Sequence, residues 1–398
     1  MATIPKMIEA YKTDPVHALT NKNLDSFEQI PDSHDWVQPN SFPSFTDQSN
    51  ISDLSSDTDS VPLIDLSLPN APKLIGNALR TWGVFQAINH GVPISVLNSM
   101  ESLLNDLFDL PTPQKLKAAR SRDGVNGYGR FRISTFFPKS MWSEGFTVSG
   151  SPLEHFQILW PHDCTKYCDI IEEYDREMKG LCGRVVWLAL GELGITREDV
   201  NWAGPNGDFP TSSGVMNLNS YPVCPDPDRA MGIGVHTDSC FLTLLYQNNA
   251  SGLQVLREGK RWVTVDPVPG ALVVQVADLL QILTNGLYSS PFHQAVVNRD
   301  RKRLSVAYFF GPPVHAEISP IKKLVNPTQP LLYPTVTWAE YLCKKAELFN
   351  DTLPSIRLST PPTESSDVND HSQVKIKEKI QIFPILANCI NINVTKAN

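Results

Sequence analysis

The sequence predicts an α+β protein in which a β-rich core over residues 206–358 is flanked by helices. Three observations carry this. From Gly214 onward, short runs rich in Val, Leu, Phe and Tyr are separated by Gly, Pro, Asn and Asp, the regular spacing of a sandwich or barrel. Before that point, apolar residues recur every three or four positions over long stretches, as on the buried stripe of a helix. The most chemically loaded residues, His236, Asp238, His293, Arg303 and Ser305, all fall inside the β-rich part.

Residues 1–60 read as an N-terminal arm. They contain no apolar core of a secretory signal, and Asp32, Ser33, His34, Asp35 and the Ser/Asp-rich stretch 49–60 suggest loops, so the arm is expected to lie loosely against the core. A mixed helical region spans 61–205. Within it, 61–66 and 83–89 read as short strands, and 71–82 as an amphipathic helix with Leu74, Ile75, Leu79 and Trp82 in phase. Residues 93–108 form a second helix with a core stripe of Val96, Met100, Leu103, Leu104 and Phe108. The stretch 124–129 is glycine-rich without the frame of a phosphate loop and reads as a loop. The long segment 169–193 repeats Ile170, Tyr174, Met178, Leu181, Val185 and Leu188 at helical spacing, a scaffold to pack on the sheet.

In the β-rich part, 241–246, 252–256, 262–265, 271–276 and 304–310 read as strands. Thr337 and Glu340 make a capping box for a closing helix whose face carries Trp338, Tyr341, Leu342 and Phe349. Residues 359–398 form a tail. Its first part, 360–372, has the polar, proline-containing composition of a disordered segment; 381–394 is apolar but interrupted by Pro384 and too short to span a bilayer.

Alternate residues of a strand share a side, so His236 and Asp238 can approach one metal from one strand. His293 lies 57 positions beyond His236 (293 − 236) and must arrive from another strand. Two imidazoles and a carboxylate on one face of a divalent iron leave the opposite face open, the arrangement of non-haem Fe(II) oxygenases. Arg303 and Ser305 also share a side, and a guanidinium fork with a nearby hydroxyl suits a carboxylate. Each piece alone has a blander reading: His-x-Asp triplets arise by chance, and Arg303 ends a basic run that would pass for a solvated turn. Their conjunction, in this order and in strand-like contexts, favours the metal.

At these motifs the sequence resembles the plant 2-oxoglutarate and Fe(II)-dependent dioxygenases, over residues 61–358. The resemblance rests on Val61-Pro-Leu-Ile-Asp-Leu66, on Trp82-Gly-Val-Phe-Gln-Ala-Ile-Asn-His-Gly-Val92 and on Asn219-Ser-Tyr-Pro-Val-Cys-Pro225. It continues through the metal triad, Gly252-Leu-Gln-Val255 and Arg303-Leu-Ser305. Within the family, Met141-Trp-Ser-Glu-Gly-Phe146 and Ser151-Pro-Leu-Glu-His155 look most like gibberellin 3-beta-dioxygenases. The resemblance implies a double-stranded β-helix, or jelly roll, open at the metal. It implies Fe(II) on His236, Asp238 and His293, and 2-oxoglutarate on Arg303, Ser305, Asn219 and Tyr221, with no catalytic residue beyond the metal site. O₂ would be the second cosubstrate and ascorbate a support. The substrate would be a gibberellin, a diterpenoid acid hydroxylated at the 3-beta position as 2-oxoglutarate is cleaved to succinate and CO₂.

Tyr128, Phe131, Met141, Trp142 and Phe146 are the candidates for the apolar walls of the substrate pocket, with a satellite core cluster as the alternative for the last three. Tyr221 can equally be core, with its hydroxyl satisfied by a neighbour. Two residues depart from the family pattern: Ala277 stands where a Gly is usual before Asp278, and Gln281 where a His is frequent, with small packing effects expected. A gibberellin 20- or 2-oxidase, a flavonoid oxygenase and a non-catalytic hormone-binding barrel are the rival readings.

Net charge is −8 (34 basic against 42 acidic residues), which disfavours nucleic acid as a partner. No run is long and apolar enough for a membrane. Seven cysteines without scaffold spacing read as reduced thiols of a cytoplasmic protein, and a zinc reading of Cys164 and Cys168 is discounted for want of a second ligand pair. A monomer is expected.

Overall fold

The computed structural model describes residues 24–36, 60–121, 124–129 and 132–358. The tail and most of the arm therefore lie outside the described residues. The first elements are β1 (Leu63–Asp65), α1 (Ala71–Thr81), β2 (Val84–Ile88), α2 (Ile94–Phe108), β3 (Gly127–Gly129), β4 (Glu144–Ser149), α3 (Leu153–Leu159) and α4 (Cys164–Gly191). Strands then dominate: β5 (Ser213–Tyr221), β6 (Ile233–His236), β7 (Leu242–Gln247), β8 (Leu253–Arg257), β9 (Arg261–Thr264) and β10 (Leu272–Val276). The chain continues with α5 (Asp278–Leu283), β11 (His293–Ala295), β12 (Arg303–Gly311) and, after two short strands, α6 (Trp338–Leu348).

Two sheets result. The larger has the order β1-β2-β10-β7-β12-β5-β4-β3 and the smaller β6-β11-β8-β9. Leu245, Val273 and Ala307 of the large sheet pack with Leu253 and Val255 of the small one, so the sheets face each other as a jelly roll. Strand β12 lies in the middle, paired antiparallel with β5 on one side and β7 on the other.

The period of two divides β12 into faces. Leu304, Val306, Tyr308 and Phe310 are all within 1% of full burial and belong to the main core beneath the helices. There the Tyr308 hydroxyl donates to Asp175 of α4 at 3.0 Å. Arg303, Ser305, Ala307 and Phe309 take the other face, toward the small sheet. The register extends this division: Asn217, Asn219 and Tyr221 of β5 and Thr147 of β4 share the inner face, while Leu218 and Phe146 share the helix face.

Helix α4 explains why that outer face is covered. Its buried Tyr174, Met178, Leu181, Cys182, Val185 and Val186 form one stripe over 28 residues. At about 1.5–3 kcal/mol for each large apolar side chain, the stripe is a principal anchor of the helices on the sheet. Cys164 and Cys168 occupy its first turns; all six cysteines among the described residues are free. No helix there is long and apolar enough to cross a membrane.

Three sequence expectations change. The longest helix starts at Cys164 rather than 169. The glycine-rich stretch contributes edge strand β3 instead of a loop throughout, because Gly127–Gly129 pair with β4. Part of the arm is docked: Leu24, Phe27 and Ile30 pack on the cluster around Trp142, and the Trp36 N–H groups bond Arg229 O at 2.8 Å and Ser140 O at 2.9 Å.

Candidate active site

Strands β6 and β11 pair with His236 directly opposite His293, which brings together two residues far apart in sequence. Asp238 follows in the turn after β6. Its Oδ1 lies 3.7 Å from Nε2 of each histidine, and the two rings are 4.2 Å apart between centroids. Among the described residues these three form the group able to hold a metal, their ligand atoms all within 4.8 Å of one another. Nδ1 of His236 donates to Gly234 O at 2.8 Å and Nδ1 of His293 to Pro291 O at 3.2 Å, which leaves both Nε2 atoms as acceptors. Thr243 of β7 donates to Oδ2 of Asp238 at 2.7 Å and fixes the carboxylate.

Burial, reinforced by the neighbouring His293, pushes His236 down from the ordinary 6.5 to about 3, so its ring is neutral at physiological pH. Between those values the unfolded chain binds a proton that the folded chain does not. Stability is therefore greatest above pH 6.5 and is lost as pH falls toward 3. The thermal midpoint of the metal-free protein, followed by circular dichroism, is expected to decline steadily over that window; a midpoint unchanged down to about pH 4 contradicts the buried neutral ring.

The loop carrying Thr237 and Asp238 is clamped from beneath. The Asp278 backbone N–H bonds Asp238 O at 2.9 Å. Fully buried Asp278 accepts at Oδ2 from Lys345 (2.8 Å), Tyr341 (2.7 Å) and Thr237 (3.1 Å), and Lys345 also donates to the Thr237 hydroxyl at 2.6 Å. Lys345 and Tyr341 belong to α6, so the closing helix reaches the metal loop through a buried ion pair. Sequence reasoning missed this network. Its one visible signal was a carboxylate, Asp278, inside an apolar run. The two family departures are benign: Ala277 has φ −114°, open to any residue, and Gln281 bridges Tyr333 Oη and the Ser290 N–H.

A second group of polar side chains gathers around Arg303 on the inner face of β12 and β5. Arg303 is 1% exposed, yet among the described residues no carboxylate pairs with it. Its Nη2 donates to Gln247 at 3.0 Å, its guanidinium stands 4.9 Å over the Tyr221 ring, and its Nε has no hydrogen-bond partner. Burial draws its pKa below the ordinary range. Asn219 donates to the Ser305 hydroxyl at 3.2 Å while its buried Oδ1 is also unpartnered. Gly252 is required here, since a Cβ would stand 2.7 Å from Arg303 Cδ. A buried cation without a counter-ion is costly, and these orphaned donors and acceptors fit an acid with a carboxylate at its end.

The expected substrate walls are placed differently. Tyr128 and Phe146 face the helices, not the inner cavity: Tyr128 donates to Glu144 at 2.8 Å beside Lys115, and Phe146 packs on His155 and Phe156. Both sit on strands one residue out of phase with the inner face. Trp142 is fully buried in the satellite cluster with Tyr221, Cys224 and Ala295, its indole N–H on Val223 O. Met141 is buried with its sulfur 3.9 Å from the Ser134 hydroxyl. Phe131 lies outside the described residues. The inner-face positions of β4 and β5 that sequence reasoning passed over are Thr147 and Asn217.

Comparison with known proteins agrees with this geometry. Residues 212–312 match the 2OG-Fe(II) oxygenase superfamily, and residues 61–163 match the non-haem dioxygenase in morphine synthesis N-terminal family. The chain belongs to the 2OG-Fe(II) oxygenase superfamily; it is an enzyme using Fe(II), 2-oxoglutarate and O₂. More particularly, it is 52% identical over 376 residues to gibberellin 3-beta-dioxygenase 1 of Pisum sativum, covering 94% of this chain and 100% of that one. It is 50% identical to gibberellin 3-beta-dioxygenase 2 of Arabidopsis thaliana, covering 88% and 98%. Among solved structures it is similar to JOX2 in complex with 2OG, Fe and JA, with TM-score 0.69 and 28% identity over 86% of this chain and 97% of that one.

Proposed function

We propose that the protein hydroxylates gibberellin precursors at the 3-beta position, with Fe(II) on His236, Asp238 and His293 and 2-oxoglutarate on Arg303, Ser305, Asn219 and Tyr221. The observation that carries this reading is the buried metal triad beside an uncompensated Arg303, in a chain that matches the gibberellin 3-beta-dioxygenases along almost their whole length. We place it in the cytoplasm as a monomer.

Each residue has a part in the reaction. Neutral His236 and His293 offer Nε2, their Nδ1–H groups held by backbone carbonyls, and Asp238 supplies the negative charge that a divalent cation requires. Arg303 and Ser305 take the far carboxylate of 2-oxoglutarate, which aims its keto-acid end at the triad; Tyr221 lies under the guanidinium and keeps it from swinging. When bound, the iron supplies the site for O₂ and the oxidising power drawn from decarboxylating 2-oxoglutarate.

Incubation of the purified protein with iron, ascorbate, 2-oxoglutarate and a panel of gibberellins, followed by mass spectrometry, is expected to give a 3-beta-hydroxylated product and one succinate per turnover. Oxidation at another carbon, or hormone binding without succinate, overturns the proposal. Arg303→Gln is expected to raise the KM for 2-oxoglutarate by about 10- to 100-fold, the worth of a hydrogen-bonded charge, with little change in the KM for gibberellin. Equal effects on both would refute the cosubstrate assignment.

A further inference from the structure

We infer that Thr243 is a positioning residue that keeps Asp238 a one-oxygen ligand and so preserves the place on the iron that O₂ needs, an inference that rests on the metal assignment proposed above. A carboxylate has two oxygens and can grip a cation with one or with both. In Asp238 the two are already divided. Oδ1 faces the imidazoles, 3.7 Å from Nε2 of each, while Oδ2 accepts from the Thr243 hydroxyl at 2.7 Å. Asp238 is 6% exposed and Thr243 2%, so water competes little for that bond. An ionised carboxylate can only accept, so the shared proton belongs to Thr243 and the bond is of the strong, charge-assisted kind.

The fold leaves this pair little freedom to rearrange. Thr243 lies on an inner strand of the large sheet, in register with Gln275 of β10 on one side and Phe309 of β12 on the other, so two neighbouring strands fix its backbone. Asp238 is held by its own carbonyl, which accepts the Asp278 N–H at 2.9 Å. Among the described residues no other side chain donates to the Asp238 carboxylate. The Thr243 hydroxyl is therefore what separates the two oxygens. One ligand atom from each residue of the triad leaves a whole face of an octahedral ion open. The keto acid takes two positions of that face, and O₂ needs the last. Were Oδ2 to leave Thr243 and join Oδ1 on the metal, the keto acid could still bind, but the position for O₂ would be lost.

The test loads the full chain with Fe(II) and 2-oxoglutarate in the absence of oxygen and titrates it with nitric oxide, a surrogate for O₂. Binding is read from the electron paramagnetic resonance signal of the iron nitrosyl, with no turnover required. Thr243→Val removes the hydroxyl at nearly constant volume. The variant is expected to bind Co(II) within about threefold of wild type and to form the visible charge-transfer band of the iron-bound keto acid. Its affinity for nitric oxide is expected to fall by about 10- to 100-fold, the usual effect of losing a group that orients a metal ligand. Thr243→Ser, which keeps the hydroxyl, should recover most of that affinity. If Thr243→Val binds nitric oxide as wild type does, if it loses Co(II) and melts well below wild type, or if Thr243→Ser is no better, Thr243 merely supports its strand and the inference fails. Wild-type protein that gives neither the band nor the nitrosyl signal would overturn the metal and cosubstrate assignment itself, a result distinct from failure of the Thr243 role.

Discussion

Asp238→Ala is expected to abolish iron-dependent succinate formation. The carboxylate is the one anionic member of the triad, and two neutral imidazoles alone cannot offset the charge of a divalent ion. Loss of a group that merely orients a ligand costs about 10- to 100-fold in metal affinity, and loss of the ligand itself should exceed that. Anaerobic titration with Co(II), followed by its visible absorption, separates metal binding from turnover. The variant should remain folded, because Ala removes a buried carboxylate and leaves only the Thr243 hydroxyl without its acceptor. Turnover that persists at saturating iron would refute the assignment of Asp238 as a ligand.

The second large effect is expected at Lys345. Methionine there preserves the length of the side chain and strands Asp278, whose carboxylate is fully buried. Breaking one partner of a buried pair costs about 3–5 kcal/mol. For a domain of about 300 residues that corresponds to a fall in Tm of roughly 4–8 °C. Pairing Lys345→Met with Asp278→Asn should recover much of the Tm, since no charge is then left alone. Metal affinity should stay reduced in both variants, because Thr237 has lost the donor that holds its loop in place. A single variant that melts with wild type would show that the pair contributes nothing to stability.

What the sequence revealed and concealed follows from the range of each interaction. His236 and Asp238, and Arg303 and Ser305, were legible because a strand's period of two is local. His293 was legible only as the missing third ligand. The pairing of β5 with β12, which puts Asn219 against Ser305, is long-range and reached the reading through family resemblance. Tyr128 and Phe146 were misassigned for the same reason: aromatic residues among glycines look like loop walls until a partner strand fixes their side. Lys345 was invisible because a lysine on an amphipathic helix normally points to water, and only the folded chain shows it beneath the metal loop.

That tether from α6 to Thr237 has a consequence for biosynthesis. The three residues proposed to hold the iron leave the ribosome well before the helix that steadies their loop. A nascent chain arrested ahead of Lys345 would carry all three of these side chains and still lack the lysine that holds Thr237. The order of the chain thus sets the group that steadies the loop after all the groups the loop must align.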